Sequence, residues 1–201
     1  MTNGEDRPTL HLIVGPNGAG KTTFYELQIR PLTDAEFVNA DRLALGRFGH
    51  AAVTLEQSQA GQALAQARRE ALIGARRTFV AESTFSHPSK LDLLTAARSA
   101  GYRLVVYHLN LRDPEHAVLR VRGRAAQGGH SVPEDRIRGR YQRNPPLIRQ
   151  AVLAADHGYV FDASRLGEPP ELLLIFQGGR AAQIARSPPT WAVELYGSDV
   201  A

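Results

Sequence analysis

Gly15-Pro16-Asn17-Gly18-Ala19-Gly20-Lys21-Thr22 decides the reading of this chain, with Thr23 directly behind it. The run satisfies G-x-x-x-x-G-K-S/T, a P-loop, in which glycines let backbone N–H groups turn inward around phosphate oxygens. Leu10 to Val14, just ahead, is a short apolar run that predicts a buried parallel strand. A helix is expected from about Gly20 to just before Pro31, and its positive N-terminus would face the same anion. Lys21 is one of only two lysines, with Lys90, among 24 Lys and Arg residues. A chain that writes Arg almost everywhere keeps Lys here because the loop needs a compact ammonium on a thin stem. Lys21 is expected to reach the terminal phosphates and the Thr22 hydroxyl to ligate Mg²⁺.

The 201 residues suit one domain able to bury a core without staples. Cys is absent, which removes disulfides, thiolate metal sites and a Cys nucleophile and suits the cytoplasm. No apolar stretch of 18 residues and no charged-then-apolar leader is present, so neither a membrane span nor a signal peptide is expected. The formal net charge of +4 is unevenly spread, because positive charge concentrates between Arg112 and Arg149.

Strand and helix signals alternate. Glu36 to Asn39 and Thr78 to Ala81 read as strands, the second ending at Glu82. Thr54 and Gln57 form a capping box that starts a long helix over residues 55–76. His87-Pro88 opens a further helix closed by Gly101, and Arg103 to Leu109 is a buried strand. Asp113-Pro114 pairs an N-cap with Pro at the first helical position. Gly128-Gly129 breaks that helix, and Ser131 with Glu134 form a second capping box opening one helix toward residue 155. Tyr159 to Phe161 is a strand, residues 171–177 and 180–186 form a hairpin about Gly178-Gly179, and the tail around Pro188-Pro189 reads as irregular. The expected fold is α/β: a three-layer P-loop NTPase of kinase-like type, with a mostly parallel central sheet, an Arg-rich helical lid over about 112–149 and a C-terminal β-hairpin.

Two carboxylates stand out. Asp41 follows the second strand, where it could orient an acceptor hydroxyl and take its proton, or simply cap a short helix. Glu82 closes an apolar strand, an expensive place for a charge without a partner. Ligands of open α/β sheets lie beyond the carboxyl ends of the strands, so Glu82 could hold Mg²⁺ through water or contact substrate. Asp162 also ends a strand but reads as a turn former. Arg120 and Arg124 share a helical face that Arg122 does not, and Arg136, Arg140 and Arg143 form a second stripe. Two such helices on a Gly-Gly hinge read as a lid whose arginines stabilise charge on a transferring phosphoryl group. Salt-bridged surface helices are the plain alternative. Duplex binding is less favoured, since only Tyr141 interleaves as an aromatic. His130 could contact phosphate or be structural.

The loop itself resembles that of ABC transporter ATPases, but no LSGGQ-type segment and no apolar run ending in Asp-Glu follows. The ordered set of segments instead resembles the zeta-toxin-type P-loop kinases, in the short branch commonly labelled predicted ABC-type ATPase. The matching segments are Gly15–Thr23, Val38–Asp41, Phe79–Phe85, Gly101-Tyr102, Arg120 through Arg124, Gly128–Pro133, Ile137 and Arg140-Tyr141. The resemblance implies a kinase with ATP or GTP as donor and Mg²⁺ as cofactor. Founding zeta toxins phosphorylate the sugar 3′-hydroxyl of UDP-N-acetylglucosamine, so the implied acceptor is a nucleotide-containing metabolite. It also raises a small antitoxin protein as a partner. By the same resemblance Asp41 is the general base, Lys21 a phosphate ligand, Thr22 the Mg²⁺ ligand, and Arg120 or Arg124 a phosphate-binding arginine. Glu82, Glu70 and Thr84 fall at substrate-side positions, and a second family arginine falls at His130. Two other functions stay open: a nucleotide-hydrolysing regulatory ATPase without a small-molecule acceptor, and a nucleic-acid-binding protein using Arg112–Arg149.

Overall fold

A computed structural model describes residues 7–50, 54–126 and 132–200. Seven strands form one sheet in the order β2-β3-β1-β4-β5-β6-β7. They are β1 (Thr9–Val14), β2 (Glu36–Val38), β3 (Phe79–Ser83), β4 (Arg103–Asn110), β5 (His157–Asp162), β6 (Glu171–Gln177) and β7 (Arg180–Ile184). The first five run parallel. β6 runs antiparallel to β5, and β7 antiparallel to β6 across the Gly178-Gly179 hairpin. The fold is therefore α/β with a mostly parallel sheet.

The helices are α1 (Lys21–Phe24), α2 (Ala40–Phe48), α3 (Leu55–Gly74), α4 (Lys90–Ser99), α5 (Pro114–Ala126), α6 (Glu134–Arg143), α7 (Pro145–Ala154) and α8 (Thr190–Val200). Past Phe24, α1 widens into a π-helical turn (Tyr25–Ile29) and then tightens to 3₁₀ (Arg30–Leu32). Side-chain alternation along β1 splits the core. Leu10, Leu12 and Val14 face α3, α4, α7 and α8, while Ile13 faces α1, α5 and α6. Layers of helix, sheet and helix follow directly.

Two expectations are corrected. The helix expected to run toward residue 155 is broken in two at Asn144, because Pro145 and Pro146 lack N–H donors and a proline ring clashes with the carbonyl four residues back. The break is used: Asn144 is buried and its amide donates 2.5 Å to the Thr84 carbonyl, tying this corner to the loop after β3. The tail is not irregular either. Pro188-Pro189 precede helix α8, where missing N–H groups cost nothing, and Pro189 accepts from the Ala192 and Val193 amides. The Thr54–Gln57 capping box forms as expected, whereas Ser131 of the other lies outside the described residues.

α8 is anchored by His108 of β4, whose Nδ1 lies 2.9 Å from the Tyr196 hydroxyl and whose ring meets Trp191 edge-on. His108 is fully buried and its Nε2 has no partner, so desolvation pushes its pKa down to about 3. The unfolded chain would bind this proton near pH 6.5, so stability is full above that value and falls as pH drops toward 3. We predict a loss of up to ~1.4 kcal/mol per pH unit across that window. Urea midpoints measured from pH 7 to pH 4 should show a shallower slope in His108→Leu than in the parent; equal slopes would contradict this.

α2 carries Asp41 and rests on α3 at Gly61, where an added Cβ would lie 2.7 Å from the Ala40 carbonyl oxygen. Gly61→Ala therefore sets a helix-propensity gain of about 1 kcal/mol against an overpacking cost of ~1–3 kcal/mol. Backbone is the obstacle and cannot swing aside, so net destabilisation is expected in urea unfolding. A stabilised variant would show that α2 is free to move off α3.

Candidate active site

β1 delivers the P-loop to the carboxyl end of the sheet, at its middle. Gly15 has φ +148, and a Cβ there would lie 2.0 Å from the Leu109 carbonyl oxygen, so no other residue fits. The loop thus packs flush on β4 before turning into α1. Lys21 is 6% exposed. Its ammonium donates to the carbonyls of Gly15 (3.1 Å) and Pro16 (2.9 Å) and lies 3.9 Å from Glu82 Oε1. Burial lowers its pKa; the Glu82 charge opposes that, Arg124 adds to it, Asp41 opposes it and Arg140 adds to it.

Glu82 lies within β3, which runs one residue further than the sequence suggests. Its Oε2 accepts from the Thr22 hydroxyl at 2.8 Å and from the Asn39 amide at 3.0 Å. The part-buried charge is thereby partnered by three residues. Asn39 also removes one of the two readings left open for Asp41. The Asn39 side chain caps α2 by accepting from the Arg42 amide at 2.9 Å, so Asp41 is not the cap. Asp41 sits in the first turn, exposed on the cleft wall, and among the described residues its carboxylate has no hydrogen bond or ion pair.

The cleft measures about 1150 Å³ and takes in Asn17, Gly18, Gly20, Lys21, Thr22 and Thr23 of the loop, with Asp41, Glu82 and Thr84. Gly15, Pro16 and Ala19 support the loop from behind; Ala19 is buried in the core. Four arginines close the opposite side: Arg120 and Arg124 from α5, Arg136 and Arg140 from α6. Arg120 donates to the carbonyls of Gly18 (3.4 Å) and Ser164 (3.0 Å), and Arg140 donates to Asn17 Oδ1 at 3.3 Å. Burial, then Arg136 and Arg143, lower the pKa of Arg140. Arg122 and Arg138 turn away to join α5 with α6, Arg122 to Glu134, Arg138 to Glu115 (2.7 Å) and Glu134 (3.1 Å). The arginine segment is therefore split between cleft and surface ion pairs.

Glu70 is not brought to the P-loop. It lines a smaller adjoining cavity of about 350 Å³ and accepts from the Gln66 amide at 2.6 Å. His130 lies outside the described residues. Asp162 accepts from the Ser164 amide at 2.7 Å, as a turn former does. Reading the sequence missed Asn39, whose cap position three residues before Arg42 was a visible signal, and it missed Arg69, Ser89 and Lys90 on the cleft wall. Among the described residues no three His, Cys, Asp or Glu side chains group as a metal site, and no helix is long and apolar enough to cross a membrane. Adjacent hydroxyl and carboxylate oxygens of Thr22 and Glu82 are hard donors that fit a Mg²⁺ sharing its shell with phosphate and water.

No curated protein matches the chain. Among solved structures, AvrRxo1-ORF1:-ORF2 with ATP superposes with TM-score 0.67 at 17% identity, over 96% of this chain. This chain spans only 63% of that one's length. The PezAT chromosomal toxin–antitoxin system of Streptococcus pneumoniae gives TM-score 0.58 at 14% identity, over 80% of this chain and 69% of that one. Shikimate kinase from Acinetobacter baumannii with shikimate gives 0.50 at 20% identity, over 73% and 81%. At such identities the likeness is one of fold, that of the P-loop kinases. The AAA_33 family, described as AAA domain, matches residues 10–147, most of the chain and every cleft element from β1 through α6. The chain therefore belongs to the AAA_33 family of AAA domains.

Proposed function

We propose that this protein is a small-molecule kinase that transfers the γ-phosphoryl group of ATP or GTP to a hydroxyl of a nucleotide-containing metabolite. The observation that carries the reading is the contrast between two carboxylates in one cleft. Glu82 is engaged by Thr22, Asn39 and Lys21. Asp41 is open to the cleft and partnerless among the described residues, as a base awaiting an acceptor proton must be. A hydrolase reading gives Asp41 no comparable acceptor but water and leaves the polar wall beyond it, with Ser58, Gln62 and Ser86, without a use.

Lys21 would release the Gly15 and Pro16 carbonyls to meet the phosphates, and the loop amides would bind their oxygens. Thr22 and Glu82 would hold Mg²⁺, which supplies neutralisation of phosphate charge when bound. Arg120, Arg124, Arg136 and Arg140 would close on the transferring group, with α5 and α6 moving as one lid because their ion pairs lock them together. Asp41 would orient the acceptor oxygen and take its proton. A toxin role restrained by a small antitoxin protein is the matching biological setting, supported by the fold shared with the PezAT and AvrRxo1 complexes.

Asp41→Asn is the test. It is expected to keep ATP affinity within about twofold while transfer to an acceptor hydroxyl falls by 10²–10⁴-fold, on the order of a lost general base. Calorimetric nucleotide titration together with product mass spectrometry measures both. Undiminished transfer in Asp41→Asn would remove Asp41 from the chemistry, and inorganic phosphate as the sole parent product would favour the ATPase.

A further inference from the structure

The cleft has a second positive pole away from the P-loop. Arg69, on α3, and Lys90, which opens α4, line both the main cleft and the smaller cavity beside it. Arg69 is only 6% exposed. One guanidinium nitrogen donates to Gln66 Oε1 at 2.9 Å, yet Nε is buried without a partner. Lys90 is half-buried, and no residue of the described structure gives its ammonium a hydrogen bond or ion pair. Burial and then the charge of Arg69 lower its pKa, so the two cations feel each other.

An orphaned N–H on a buried guanidinium is costly, and so is a second cation set beside it. Glu70 and Asp92 line the smaller cavity but not the main cleft, and Glu70 is engaged by Gln66. Glu82 lines both spaces and the charge of Glu70 acts on Arg69, but among the described residues no carboxylate makes a hydrogen bond or ion pair with the planar fork of Arg69 or the point charge of Lys90. A compact oxyanion satisfies both.

We propose that Arg69 and Lys90 form an oxyanion subsite at the acceptor end of the cleft, so that the acceptor carries a phosphate group of its own, separate from the hydroxyl that is phosphorylated. The assignment deepens the kinase reading and rests on it for the word acceptor. The anion site itself is testable without catalysis.

The composition offers a direct probe, since Lys21 and Lys90 are the only lysines. Protein labelled with ¹³C at lysine Cε gives two side-chain signals, assigned through Lys90→Gln. With the P-loop filled by a non-hydrolysable ATP analogue and Mg²⁺, inorganic phosphate should shift the Lys90 signal saturably and leave Lys21 still. Arg69→Gln should weaken that response roughly tenfold or more, the scale of one lost charge-assisted hydrogen bond. If Arg69→Gln does not fold, Lys90→Gln should show the same weakening of phosphate binding by calorimetry. A silent Lys90, or phosphate binding unchanged in the folded variants, overturns the subsite. A stronger response to acetate than to phosphate overturns the phosphate assignment in favour of a carboxylate. A silent Lys90 in a protein that still phosphorylates a metabolite removes the subsite and leaves the kinase standing. A responsive Lys90 in a protein that transfers nothing does the reverse.

Discussion

The buried ammonium of Lys21 is the constraint on which the rest of the site depends. A cation at 6% exposure is stable only if its surroundings repay lost hydration. Two loop carbonyls do so at 3.1 and 2.9 Å, and Glu82 does so at 3.9 Å. Each partner carries its own requirement. The carbonyls need the Gly15 conformation, which needs the close approach to β4. Glu82 must be held in turn, by Thr22 and Asn39. Asn39 also caps α2, so the same side chain fixes both the acidic partner of Lys21 and the helix that carries Asp41.

This chain of dependence explains why the two carboxylates diverge. Glu82 emerges from β3 next to β1, within reach of the loop, and its charge is taken up by Thr22, Asn39 and Lys21. Asp41 stands in the first turn of a helix seated on α3, where no hydrogen bond or ion pair from the described protein holds it. Opposite, the arginines of α5 and α6 divide by helical phase. Of those facing inward, Arg120 meets the Gly18 carbonyl and Arg140 the Asn17 side chain, and Arg122 and Arg138, facing outward, bind the two helices together.

Much of the fold was legible because its signals are local. The P-loop, the Thr54–Gln57 box and the Asp113-Pro114 start depend on a few neighbouring residues each. The misses came from competing local rules. Pro145-Pro146 end a helix that hydrophobic periodicity would carry on, and Pro188-Pro189 read as loop although they merely precede α8. In the site, Asp41 and Glu82 were visible as acids near strand ends. Asn39 was passed over because Asp41 was weighed as the cap, and only the turn geometry chooses between them. Arg69 was passed over within the long helix of residues 55–76. Its burial is set by which face of α3 meets β3 and α4, which no local pattern carries.

The claim that this cleft moves a phosphoryl group to a small molecule is tested most directly by incubating the purified protein with γ-labelled ATP, Mg²⁺ and a deproteinised metabolite extract, followed by mass spectrometry of the labelled products. The account predicts label in an organic phosphate ester whose parent compound already bears phosphate, and none of it in a Lys21→Ala control. Label recovered only as inorganic phosphate would contradict it.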